Sequence, residues 1–98
     1  MEIYNVFVTH TSPDYCSDNS TSLFLGTFST RKLAEERIAT ESERKKEYLK
    51  EVCAEYGITE IPDLKNDGSF ATLTYGDEKY EYSIIACKVN DNHYETIA

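Results

Sequence analysis

The chain reads as a single α+β domain, residues 1–98, of order β-β-α-β-β, with one long helix packed on a four-stranded antiparallel or mixed sheet. Three observations carry that reading. Glu2–Thr9 and Lys79–Val89 alternate in side-chain character with a period of two, as strands do. Ser29–Tyr56 is a charged segment of 28 residues with no Gly or Pro inside it. Turn-forming residues divide the chain after Gly57 into two further strands.

In Glu2–Thr9, Tyr4, Val6 and Val8 share one face and Ile3, Asn5 and Phe7 the other. His10–Thr21 (HTSPDYCSDNST) is polar and reads as a long connector. Leu23–Phe28 is short, apolar and β-favouring, so a second strand is expected there. Ser29 or Thr30 then supplies a hydroxyl to cap the helix. With Ser29 as the cap, Phe28 and Leu33 have the spacing of a hydrophobic staple. Gly57 is a natural residue to end the helix, because it tolerates a left-handed backbone.

As one helix, Ser29–Tyr56 is roughly 40 Å long. A strand of six or seven residues spans only about 20 Å, so the helix is expected to overhang the sheet. Ala34 and Ile38 begin its apolar stripe, and Tyr48, Leu49, Val52 and Tyr56 resume it in phase. Glu41 and Lys45 occupy the gap as an i,i+4 pair. Thr40 and Glu43 have capping-box spacing and offer a break, but the preserved phase favours one continuous helix.

Beyond Gly57, Pro62 interrupts regular structure, and Ile58, Ile61 and Leu64 are expected to tack Ile58–Gly68 onto the core. Asn66-Asp67-Gly68 is a turn. Ser69–Tyr75 is the third strand, Gly76-Asp77-Glu78 a hairpin turn and Lys79–Val89 the fourth strand. Tyr80, Tyr82, Ile84 and Ala86 line one face of that last strand, and Ser83, Ile85, Cys87 and Val89 the other. Apolar residues on both faces place it centrally. Asn90–Ala98 is a polar tail in which Tyr94 and Ile97 offer a short contact.

With 40% hydrophobic and 12% aromatic residues the composition is that of a folding chain. No apolar run approaches the length a bilayer needs, and no basic-then-apolar leader is visible. A cytoplasmic setting is therefore expected. Cys16, Cys53 and Cys87 lack metal-like spacing and read as reduced thiols.

Charge is the most informative bulk quantity. The net value is −8, and Ser29–Tyr56 contains seven basic and seven acidic residues. The whole excess of negative charge thus lies outside the helix. Direct nucleic-acid binding is disfavoured, because phosphates need a basic surface. A basic protein partner fits better.

No Walker, GxGxxG, HExxH or GxSxG pattern occurs, so no catalytic, cofactor or metal residue is assigned and an enzyme is not expected. Cys16 and His10 share a loop, but Asp14 and Asp18 make that loop acidic, which disfavours a thiolate. Asp14, Asp18 and Asn19 lack the Gly and the bidentate Glu of a calcium loop. The candidate partner-binding residues are Tyr75, Asp77, Glu78, Tyr80 and Glu81 of the last hairpin, with Asp63 and Asp67. Tyr beside carboxylates combines apolar area with hydrogen-bonding tips. Tyr48, Leu49, Val52 and Tyr56 are candidates for a homodimer contact. A second reading is a module binding a small ligand or nucleotide, acting as a sponge and as a homo-oligomer. Its pocket would lie between helix and sheet or at a dimer interface, with Arg37, Lys45 and Lys88 as the available cations.

Gly26-Thr27-Phe28-Ser29-Thr30, followed by Ala34 and Ile38, resembles the G-x-F-[ST]-[ST]…A…I strand-to-helix signature of small uncharacterised proteins of bacteria and their phages. The resemblance covers about 15 residues and implies the β-β-α start, with no activity attached. In type, a small acidic chain of this size also resembles phage-encoded inhibitors of host defence such as anti-CRISPR proteins. That implies a basic, nucleic-acid-binding host protein as partner.

Overall fold

The computed structural model describes residues 1–12, 19–89 and 94–96. Asp14, Cys16, Asp18, His93 and Ile97 lie outside these residues, as do the side chains of Asn19 and Tyr94. The elements are β1 (Glu2–Ser12), β2 (Asn19–Phe28), α1 (Arg31–Tyr56), β3 (Asp63–Asn66), β4 (Phe70–Tyr75), β5 (Glu78–Val89) and β6 (Tyr94–Thr96). All the strands form one sheet of order β2-β1-β5-β4-β3, and β6 pairs the end of β5. Each pairing is antiparallel. The α+β class and the single long helix hold, while the four-strand count is corrected. Asp63–Asn66 is an additional edge strand. Its four residues follow Pro62 too closely to show a period.

The first hairpin is longer than expected. His10–Ser12 and 19–21 are paired strand, with His10 opposite Thr21 and Ser12 opposite Asn19. β1 has 11 residues and β5 has 12, so each spans roughly 35–40 Å at about 3.4 Å per residue. α1 has 26 residues and is roughly 39 Å long. Helix and strands therefore match in length, and the expected overhang is not needed.

Thr30 is the helix cap, and its hydroxyl accepts from the Leu33 backbone N–H at 3.2 Å. This shifts the frame by one residue from the Ser29 alternative. Phe28 and Leu33 then lose staple spacing, and Leu33 stands exposed. Gly57 ends the helix in the left-handed region at φ 66°, and its N–H bonds the Cys53 carbonyl. The helix is continuous through Thr40.

The residues that α1 buries are Ala34, Ile38, Ser42, Leu49 and Cys53. The stripe thus crosses its polar middle at Ser42, which faces the sheet one residue beyond Glu41. Ser42 is fully buried at no hydrogen-bonding cost, because its hydroxyl donates to the Ile38 carbonyl at 2.6 Å. Leu49 packs inward, while Tyr48 and Tyr56 stay exposed.

The core under the helix joins Ala34, Ile38 and Leu49 to Val6, Ala71, Leu73, Tyr80 and Tyr82, with Tyr4, Val8, Leu25, Phe28, Leu64 and Ile84 around them. The alternation read for β1 and β5 is kept: Val6 lies opposite Ile84 and Val8 opposite Tyr82 on the helix side. Leu64 reaches this core, but Ile58 and Ile61 are exposed and Pro62 is buried in their place.

β2 carries a bulge. Val6 pairs Gly26 while Phe7 pairs Phe24, which leaves Leu25 extra. Gly26 has φ 141°, and a Cβ there would stand 3.2 Å from the Phe28 ring. The extra residue inverts the alternation, so Phe28 and Leu23 lie on the helix side and Phe24 lies beside Phe7 on the other. Their rings are 5.4 Å apart and tilted.

Candidate functional site: an acidic corner beside an aromatic cleft

The turn Gly76-Asp77 ends β4 at Tyr75 and starts β5 at Glu78. β3 begins at the same end, with Asp63 opposite Thr74. The link from α1 to β3 brings Glu60 to this turn, since a Cβ on Gly76 would meet Glu60 Oε2 at 2.6 Å. Glu60, Asp63, Asp77 and Glu78 therefore lie at one end of the sheet, with Glu60 and Glu78 beside half-buried Tyr75 and Asp63 on the opposite face of its strand. Among the described residues, no Lys or Arg forms an ion pair with any of the four. Cys53 Sγ lies 3.4 Å from the Tyr75 hydroxyl. That contact, then burial and the negative charges of Glu60 and Glu78, push the hydroxyl up to about 12. Tyr75 thus stays neutral beside the carboxylates at ordinary pH.

Four of the residues expected from sequence lie at this end of the sheet: Tyr75, Asp77 and Glu78, with Asp63 on the opposite face of the edge strand. Glu60 belongs with them but carries no signal in the sequence, because only the fold of the link brings it near. Three others do not join. Asp67 lies past the opposite end of β3, in the turn where Gly68 N–H donates to the Asn66 side chain. Glu81 points away from the helix and pairs with Lys79 at 3.3 Å. Tyr80 is only 8% exposed, because alternation along β5 turns it toward α1.

Beside the corner, a cleft of about 440 Å³ opens between α1 and the sheet. Val8 and His10 of β1, Thr21, Leu23 and Leu25 of β2, Tyr80 and Tyr82 of β5, and Glu41 and Lys45 of α1 line it. It exists because the middle turns of the helix carry charged or small side chains where large apolar ones would fill the gap. Glu41 is held by Arg37 at 3.6 Å and Arg44 at 3.5 Å. The Lys45 ammonium sits 4.9 Å from the centre of the Tyr80 ring and 5.3 Å from that of Tyr48. Of the three cations considered for a pocket, Lys45 lines it and Arg37 borders it through Glu41. Lys88 is exposed near the far end of β5, opposite Glu2.

Corner and cleft share Glu78. Its Oε1 lies 3.3 Å from His10 Nε2 and accepts from the Ser12 hydroxyl at 3.4 Å. His10 was expected in a loop, yet β1 extends through it and stacks its ring on Tyr80. Burial, then the charges of Glu78 and Tyr48, raise the Tyr80 hydroxyl above its ordinary range. Burial, then Glu41 and Tyr80, push Tyr82 up to about 12. Both are hydrogen-bonding groups at neutral pH rather than charged ones.

Cys53 and Cys87 are buried free thiols. Among the described residues, no three His, Cys, Asp or Glu side chains are placed to hold a metal, and no helix is long and apolar enough to cross a membrane. No family model, curated protein or solved structure matches the chain.

Proposed function

We propose that the chain is a non-enzymatic binding module whose acidic corner docks a basic protein. The observation that carries this is the set of four carboxylates at the Tyr75 end of the sheet, with no Lys or Arg bonded to them among the described residues. A partner that supplies Arg or Lys makes charge-assisted hydrogen bonds there without breaking an existing ion pair of Glu60, Asp63 or Asp77. Tyr75 adds apolar area at the centre. A nucleic-acid-binding protein carries such cations in its groove, so occupation of that groove inhibits it by charge mimicry. A phage-encoded inhibitor of a host defence protein, acting in the host cytoplasm, is the concrete instance.

The test compares the native chain with a Glu60→Gln, Asp63→Asn, Asp77→Asn variant as bait in host lysate, with captured proteins quantified by mass spectrometry. A basic protein retained by the native chain, released by salt and lost with the variant supports the reading. Equal capture by both baits at every salt concentration refutes it.

The Lys45 ammonium favours a second reading. It lies over two aromatic rings and forms no ion pair among the described residues. A small anionic ligand with an apolar or planar body, a nucleotide included, fits a cleft of that chemistry. A thermal shift with cyclic nucleotides that disappears in Lys45→Met supports it, and no shift at saturating nucleotide removes it.

A further inference from the structure

The sheet face turned away from α1 has no layer over it among the described residues. A row of side chains crosses four strands there: Phe24 on β2, Phe7 on β1, Ser83 on β5 and Phe70 on β4. Ile3 and Ile85 extend the row along β1 and β5. Phe24 is 54% exposed, Phe70 40% and Ile85 37%. Antiparallel sheets often leave one face in water, but that face is then polar. This one is apolar at its centre, and the β2 bulge brings Phe24 into it.

We infer that this open face is where two copies of the chain meet, sheet against sheet. Charge selects a second copy as the occupant. A chain of net charge −8 repels its own copies wherever that excess lies, which is outside the charge-balanced α1. By strand register, the charged residues of this face are Asp63, Lys65, Lys79 and Glu81, two of each sign. Lys79 and Glu81 already pair with each other. Two copies therefore approach here without the penalty they meet at the acidic corner, and each offers the other a charge-balanced patch with Phe24, Phe70 and Ile85 exposed on it.

The polar groups of the face point the same way. Thr9 and Ser22 hydroxyls lie 3.1 Å apart, and Thr11 and Ser20 hydroxyls 3.2 Å apart. The Thr27 hydroxyl donates to Asn5 Oδ1 at 2.6 Å, and Asn5 Nδ2 donates to Cys87 Sγ at 3.6 Å. These groups satisfy one another within the plane of the sheet on the β1–β2 side, so a covering layer there strands few polar atoms, while Ser83, Thr72 and Thr74 take their partners from the other copy. The area is sufficient. Five strands of this length present roughly 25 by 30 Å, close to the ~800 Å² per partner of a standard interface. Packed sheets lie about 10 Å apart with strands within about 30° of each other. In that arrangement both clefts and the Glu60 and Glu78 sides of both acidic corners stay clear of the contact, and only Asp63, on the edge strand, borders it.

The experiment is sedimentation equilibrium from micromolar to millimolar protein, on the full chain and two double variants. The native chain is expected to reach the mass of two chains. Phe24→Glu with Phe70→Glu places two carboxylates on the face and is expected to weaken dimerisation at least a hundredfold. Its far-UV circular dichroism stays native, since both side chains are largely outside the core. Tyr48→Glu with Tyr56→Glu, on the exposed side of α1, is expected to dimerise as the native chain does. A native chain that is monomeric throughout overturns the inference. So does a dimer that survives the sheet-face charges, or one that only the helix variant dissociates.

Discussion

His10 and Tyr80 stack face to face across the β1–β5 pair, with ring centroids 4.2 Å apart and planes within 10° of parallel. Lys45 covers the Tyr80 ring as well, and Glu78 holds the His10 ring from its edge. One contact thus ties the last third of β1 to the wall of the cleft and to the acidic corner. His10→Ala is expected to lose about 0.5–1.5 kcal/mol of stability, and His10→Phe to recover most of it. Urea denaturation of both variants checks this, and equal destabilisation by both would show that the ring contact is not what matters.

Ile38 is the largest side chain that α1 buries completely, and Ser42 lies one turn further along the same stripe. Ile38→Ala is expected to cost about 2–5 kcal/mol, the range for a large aliphatic residue in a packed site. Ser42→Ala is expected to change stability by under about 1 kcal/mol, because only a bond to a carbonyl of its own helix is lost. Chemical denaturation of the two variants side by side tests whether the polar middle of the helix is held by fit rather than by that hydroxyl.

Tyr82 is raised to about 12 in the folded chain against an ordinary value near 10. An acid whose folded value is raised adds stability that is complete below the unfolded value. That stability is lost as pH climbs through the folded one. Melting temperature is therefore expected to be flat with respect to this group up to about pH 10 and to fall between about pH 10 and 12. Tyr82→Phe should make the fall shallower. An identical alkaline slope in the variant would contradict the assignment.

Gly26 is the hinge of the β2 bulge. Gly26→Ala combines a strained φ of 141° with contact against the Phe28 ring, and roughly 1–3 kcal/mol of destabilisation is expected. The backbone amide resonances of Phe24 and Leu25 should shift most. A variant as stable as the native chain, with β2 unmoved, would show that the bulge tolerates a side chain.

Much of this fold is legible in the sequence where side chains alternate over many residues. Val6 and Val8 in β1, and Tyr80, Tyr82 and Ala86 in β5, declare their inward face by period alone. Gly57 and the Asn66-Asp67-Gly68 turn are equally readable, because their local chemistry decides them. β3 is hidden because four residues after a proline are too few for a period. The extension of β1 through Ser12 is hidden because its pairing with β2 is made by Thr and Ser, residues that suit loops as well as edge strands. The site is half legible. Asp77 and Glu78 flag the corner by adjacency, but Glu60 joins it only through the path of the chain around Pro62. The alternation that reveals β5 also turns Tyr80 inward and Glu81 to the opposite face, so a hairpin read as one surface is in fact two.

Docking of a basic partner at the acidic corner is tested most directly by titrating isotopically labelled protein with a short oligo-arginine peptide and following amide chemical shifts at low and high salt. The expected result is a set of shifts concentrated at Glu60, Asp63, Tyr75, Asp77 and Glu78, reversed by added salt. Shifts spread evenly over the acidic residues of the chain, or centred on α1, would contradict it.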